Sequence, residues 1–205
     1  NEVLVVSDIL ENYIRKNYPG YKINSSTCKE IRSVEGINEE LKQDYATVVL
    51  DYNMNNQFDL IRDITDKERC EILVNACCVP DCPRRGEHYR VIARNQRIAL
   101  KNRTLPPGER TPEIKWHCTY GENNMPSVSR SYPTHVSPER IWNEYVPMGF
   151  RNFKIEGRTA NLFLMANTYA YYFAKPEFRD DVELLLLNNL AANKVIGIAK
   201  PKPAL

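Results

Sequence analysis

The chain has 205 residues, 42% hydrophobic and 26% charged, a balance that excludes a disordered tail, a collagen and a coiled coil. Its 28 basic and 26 acidic residues leave a formal charge of +2. A phosphate-gripping protein usually carries a clear basic excess, so a general nucleic-acid binder is disfavoured. No apolar run is long enough to span a bilayer and no secretion signal opens the chain, so a non-membrane, cytoplasmic protein is expected.

In chain order, strands and helices alternate. Glu2 to Val6 reads as a strand, and starting at Asn1 inside an apolar run suggests that further strands lie upstream. Ser7 is a candidate N-cap for a helix carrying Ile9, Leu10, Tyr13 and Ile14. Tyr21 to Asn24 is a second strand, with helical segments near Cys28 to Val34 and Asn38 to Gln43. Ala46 to Leu50 is a β-branched strand, followed by a helix over Gln57 to Ile64. Glu71 to Val74 is the fourth strand, and a helix runs from Pro83 to Arg97 with Cys82 as its expected N-cap. Residues 100–137 form a long loop rich in Pro, Gly, Asn and Ser. Ser137 and Pro138 open a helix that Gly149 closes, and Arg151 to Ile155 is the last strand. A Tyr-rich helix follows, with Leu162, Met165, Ala166, Tyr169, Tyr172 and Phe173 expected on one face, then a final helix over Arg179 to Ala192.

This alternation is the signature of an α/β fold with parallel strands and helical crossovers. About five strands against the roughly eight of a closed barrel predict a partial TIM-like (β/α) barrel missing its first strands. Residues 1–195 are expected to form that one domain, and residues 196–205 a tail.

Sites in such folds lie where strands end. Those ends supply Ser7, Ser25, Ser26, Asp51, Asn53, Asn75, Cys77, Cys78, Glu156 and Arg158, residues that caps and turns would also require. Of the six cysteines, Cys77, Cys78 and Cys82 crowd into one turn, Cys118 arrives from the long loop, and Cys28 and Cys70 read as small buried apolar residues. Cys82 at a helix N-terminus beside Arg84 and Arg85 would favour its thiolate, the metal-binding form. Cys77, Cys78, Cys82 and Cys118 are therefore candidate ligands for an iron–sulfur cluster or, alternatively, zinc. A disulfide and purely structural thiols are the competing readings. His88 falls in step with Val91, Ile92 and Asn95 and is expected to point inward near the cysteines, as a ligand, a supporting donor, an acid/base group or simply a satisfied core histidine. His117 is a further ligand candidate, and His135 has no evident partner. The basic run from Arg84 through Arg103 reads as a solvated helix face.

Gly149-Phe-Arg-Asn-Phe-Lys-Ile-Glu-Gly-Arg158 gathers Lys154, Glu156 and Arg158 at a strand end, beside a helix N-terminus able to hold an anion. This segment, with Asn161, Ala166, Tyr169 and Tyr172 after it, resembles the closing strand and helix of the U32 peptidase family, and the Asn-x-Cys-Cys turn fits the same layout. The resemblance implies a TIM-like barrel. In some members it implies a four-cysteine [4Fe-4S] cluster that assists hydroxylation of RNA bases or a small aromatic quinone precursor, and in others a collagenase-like peptidase. The cysteine spacing here is tighter than in the hydroxylation-linked members. On this resemblance Glu156 and His88 are the catalytic candidates. Asp51, Asn53, Asn75, Arg84, Lys154 and Arg158 would bind substrate, and Cys77, Cys78, Cys82 and Cys118 the metal. A metal-dependent peptidase and a non-enzymatic zinc- or thiol-stabilised module are the alternatives. The chain carries neither a His-Glu-x-x-His nor a Gly-x-Ser-x-Gly motif. The candidate protein partners are a further protein or a second copy of this chain.

Overall fold

The computed structural model describes residues 1–118, 126–157 and 162–197. Five parallel strands form one sheet in the order β1-β2-β3-β4-β5, each beside its neighbour in sequence. They are β1 (Glu2–Val5), β2 (Lys22–Ser25), β3 (Thr47–Val49), β4 (Cys70–Leu73) and β5 (Asn152–Lys154). Register runs from Glu2↔Lys22 at one side to Leu73↔Lys154 at the other. The order never reverses, unlike that of a doubly wound sheet. All five strands point the same way, so their ends share one edge.

The β-branched runs do what continuous apolar strands should. Val48, Val49, Leu50, Ile72, Leu73 and Val74 are all buried: Val48, Leu50, Ile72 and Val74 join the main core with Ile37 and Ile61, and Leu73 packs with Tyr52 and Ala76. At the sheet's side the pattern changes: β1 buries Val5 but leaves Leu4 and Val6 exposed.

Helix α1 (Asp8–Asn17) opens with acids and closes with Arg15 and Lys16, in line with its dipole. Ser7 occupies the N-cap position without a side-chain bond, and only Ile14 is buried, so the expected apolar face of Ile9, Leu10 and Tyr13 lies open. The two helical segments expected between residues 28 and 43 resolve differently. A single turn over Thr27–Lys29 ends at Glu30 in the left-handed region (φ 55°), and α2 (Val34–Leu41) starts at Ser33, whose hydroxyl accepts the Gly36 N–H at 3.1 Å. The Ser33 cap, worth about 1 kcal/mol, sets that boundary. It lets α2 bury Val34, Ile37 and Leu41.

A short α3 (Phe58–Ile61) precedes β4, and α4 (Arg85–Asn102) follows it. The N-cap of α4 is Arg84 rather than Cys82, because residues 82–85 first make a separate turn closed by Arg85 N–H to Cys82 O at 3.2 Å. Beyond it lie α5 (Pro126–Ser129) and a helical stretch from Pro138 to Met148: α6 (Pro138–Arg140), a wide π turn over Ile141–Tyr145, and α7 (Val146–Met148). Ser137 caps this stretch through the Arg140 N–H, and Gly149 at φ 107° ends it, as the sequence predicts. Within it Tyr145 is fully buried against the rings of Phe58, Phe150 and Phe153. Its hydroxyl accepts the Asn56 N–H at 2.8 Å.

Helix α8 (Leu162–Phe173) seats Ala166 and Ala170 on the core, and Tyr172 donates to the carbonyls of Val74 and Val136 at 3.2 and 3.1 Å. Phe173, expected on the apolar face, is exposed. The final helix, α9 (Arg179–Ala192), packs on α8. Among the described residues no helix is long and apolar enough to cross a membrane.

Candidate functional site

The shared strand edge carries two poles, separated by the Asn75–Cys78 turn. The first is built on an ion pair. Asp51 ends β3, its side chain fully removed from solvent, and its Oδ2 accepts Arg85 Nη1 at 2.6 Å. Its other oxygen accepts the backbone and side-chain N–H groups of Asn53, both at 2.9 Å. Arg85 spends its remaining donors on Tyr89 Oη (3.0 Å) and Thr27 (3.2 Å to the carbonyl), and lies over the Tyr52 ring at 4.3 Å. Burial opposes the guanidinium charge, but Tyr89 and Asp51 outweigh it and hold Arg85 firmly protonated. One member of the basic run is thus not solvated, while Arg90, Arg94, Arg97, Lys101 and Arg103 are exposed as expected. Asp51 and Asn53, candidates for substrate binding, are committed to architecture: Asn53 Oδ1 also accepts the Asp81 N–H that shapes the cysteine turn.

Around this pair stand cysteines. The Cys78 thiol interacts with Tyr52 and with Cys82, and burial raises it above the ordinary thiol range. Cys28 lies beside Tyr89 on the other flank. All six cysteines are free thiols. Cys70, as expected, is a buried small residue, its thiol pushed up to about 12 by burial.

The segment leading to Cys118 runs back along α4 as far as Arg84, and Cys118 does not stand grouped with Cys78 and Cys82 as a ready ligand set. Asn102 makes a reciprocal amide pair with the Thr111 backbone (2.7 and 3.0 Å), and Asn95 does the same with Ile114 (2.9 and 2.8 Å). His88 then stacks on Trp116, rings 5.0 Å apart and 2° from parallel. Arg84 lies over the Trp116 ring at 4.2 Å and donates to His117 O at 3.0 Å. Residues 111–117 therefore run antiparallel to α4 like a strap, toward the helix start. His88 faces this strap and not the thiols, which corrects its expected orientation. The stripe His88, Asn95, Asn102 repeats every seven residues, the helical spacing of one face, and it is the sequence signal that marks the strap.

The second pole lies between the ends of β4 and β5 and helix α8. Asn75 pairs with Glu156 through both backbone groups: Nδ2 to Glu156 O at 3.0 Å and Glu156 N–H to Asn75 Oδ1 at 2.8 Å. The Glu156 carboxylate accepts the Cys77 N–H at 2.5 Å. Burial, and next the Glu156 charge, push the Cys77 thiol up to about 12. Cys77 and Cys78 thus face opposite poles, and Cys77 does not join Cys78 and Cys82. A cavity of about 60 Å³ opens here, walled by Asn75, Cys77, Arg130, His135, Glu156 and Tyr172. Lys154 does not enter it: its Nζ pairs with Glu71 on the neighbouring strand at 3.2 Å. Arg158 lies outside the described residues. Arg130 and His135 were missed by sequence reasoning, since both sit in the aperiodic loop before α6.

Among the described residues no three His, Cys, Asp or Glu side chains already stand grouped to hold a metal ion. Comparisons with protein-family models, curated proteins and solved structures give no match to this chain.

Proposed function

We propose that this chain belongs to a (β/α)-barrel protein of the U32-like kind. In this reading it holds an iron–sulfur cluster on Cys78, Cys82 and Cys118 and assists redox or hydroxylation chemistry on an RNA base or a small aromatic substrate. An unreversed run of parallel strands with all their ends at one edge supports the barrel, since staves of a barrel are ordered this way. The strap carries the rest of the reading, because its anchors bring the chain back to Arg84 one residue before Cys118. Three unbridged thiols from two segments are the donors this reading uses, and a bound metal would deprotonate the Cys78 thiol, which burial raises.

Such a cluster supplies one-electron transfer. The chain's own contribution is a cleft one peptide away. There Asn75 fixes the backbone of Glu156, and the Cys77 N–H holds one carboxylate oxygen and leaves the other to accept a substrate proton. Cys77 becomes part of the cleft wall. Six reduced cysteines suit a reducing compartment, and cytoplasmic residence is part of the proposal.

The test is anaerobic purification with metal analysis. A brown protein with roughly four irons per chain, colour lost in Cys118→Ser, is the expected outcome. A folded, colourless, iron-free preparation overturns the cluster, as does full iron retention by Cys118→Ser. Stoichiometric zinc in place of iron would replace it with a structural metal.

A further inference from the structure

We infer that the cleft beside Glu156 binds the carboxylate of a small organic acid, held by Arg130 and His135. The inference deepens the substrate half of the proposed function and rests on the cleft being a binding site, not on the thiols.

Arg130 is half-buried, yet its partners among the described residues are few for a guanidinium. One nitrogen donates to Asn167 Oδ1 at 2.8 Å, and the group lies over the Tyr171 ring at 3.9 Å. No carboxylate stands within ion-pair distance of it among the described residues. A guanidinium has five N–H donors in a planar fork suited to a carboxylate, and desolvating it without a counter-charge is costly. Asn167, its hydrogen-bond partner among the described residues, itself donates to Glu183, whose charge reaches Arg130 without a direct ion pair.

His135 points to the same need independently. It is 9% exposed, its Nε2 meets Tyr171 Oη at 3.2 Å, and its Nδ1 is buried with no partner. Buried polar atoms in native folds nearly always have partners, so an orphan on a cavity wall marks where a ligand atom belongs. With the ring proton on Nδ1, Tyr171 donates to Nε2 and the histidine keeps one unused N–H. Burial, then the charges of Arg130 and Arg140, keep the ring neutral. Arg130 and His135 both contact Tyr171 and both wall the cleft, together with Glu156.

Size and charge narrow the ligand. A space of about 60 Å³ suits a small acid group. Glu156 adds a negative charge that a dianion would meet, so a monocarboxylate is favoured over phosphate. Lys154, engaged with Glu71, is not available for the role.

The experiment is calorimetric titration of the full chain with acetate and benzoate, against acetamide, benzamide and inorganic phosphate. Saturable binding of a carboxylate, weakened at least about tenfold in Arg130→Gln and absent for the amides, is the expected result. Arg130→Lys, which keeps the charge but loses the fork, should fall between, and covers the case in which Arg130→Gln does not fold. Glu156→Gln should bind the acid as well as the parent or better, while losing any substrate chemistry. No saturation by either acid, equal binding of the amides, or tighter binding of phosphate overturns the inference. Cluster loading without carboxylate binding sinks this inference alone. Carboxylate binding to an iron-free protein leaves it standing and removes only the cluster.

Discussion

Asp51 and Arg85 show how one pair of residues can be mistaken for reactive groups. Both sit where a ligand would be sought, at a strand end and a helix start, yet their side chains are 0% and 2% exposed and their polar atoms are committed to each other, Asn53, Tyr89 and Thr27. Burying both charges is tolerable only while both are present. Asp51→Asn should therefore cost about 3–5 kcal/mol in urea unfolding, because it strands a desolvated guanidinium. The double variant Asp51→Leu/Arg85→Met should recover most of that loss. A loss that simply adds across the two sites would show that the pair is not coupled. On the same scale, Tyr145→Phe removes the acceptor of the Asn56 N–H and should cost about 1–2 kcal/mol in the same measurement.

At the scale of elements, local chemistry decides where each piece stops. Gly149 adopts φ 107°, and a Cβ there would meet only Lys67 side-chain atoms at 3.8 Å and beyond. The penalty for Gly149→Ala is thus one of backbone conformation and not of space. About 1–2 kcal/mol is expected from thermal unfolding, from the cost of a side chain in the left-handed region. All five strands were readable from the sequence to within a residue or two, because a β-branched run between turn residues has few other ways to bury itself. Helix starts were less readable. Ser137 caps as read, Ser33 caps where the segment from Cys28 to Val34 was expected to be helical, and Cys82 was displaced from the cap by a turn that depends on Asn53 reaching Asp81 across 28 positions. The strap, Arg130 and His135 were hidden for the same reason: each is placed by tertiary contacts on a segment without periodicity.

For the molecule as a whole, acid should be the weak direction. Burial first, then Arg130 and Arg140, lower His135 from its ordinary 6.5 to about 4. Between those values the unfolded chain takes up a proton that the folded chain refuses. Its contribution to stability is therefore complete above about pH 6.5 and lost as the pH falls toward 4. The drop amounts to about 3 kcal/mol at most. Urea unfolding at pH 7 and pH 4.5 should show the parent losing about 2–3 kcal/mol more than His135→Leu. Equal losses would place the acid sensitivity elsewhere.

The reciprocal amide pairs on α4 carry a further implication for the hairpin tip. Asn102 and Asn95 grip backbone, not side chains, so they are indifferent to which residues occupy positions 111 and 114. Whatever is added or removed between Arg103 and Arg110 is absorbed above the first grip. The tip is thus free to vary in length and sequence like a buckle's loose end, while the point at which Cys118 is delivered stays fixed.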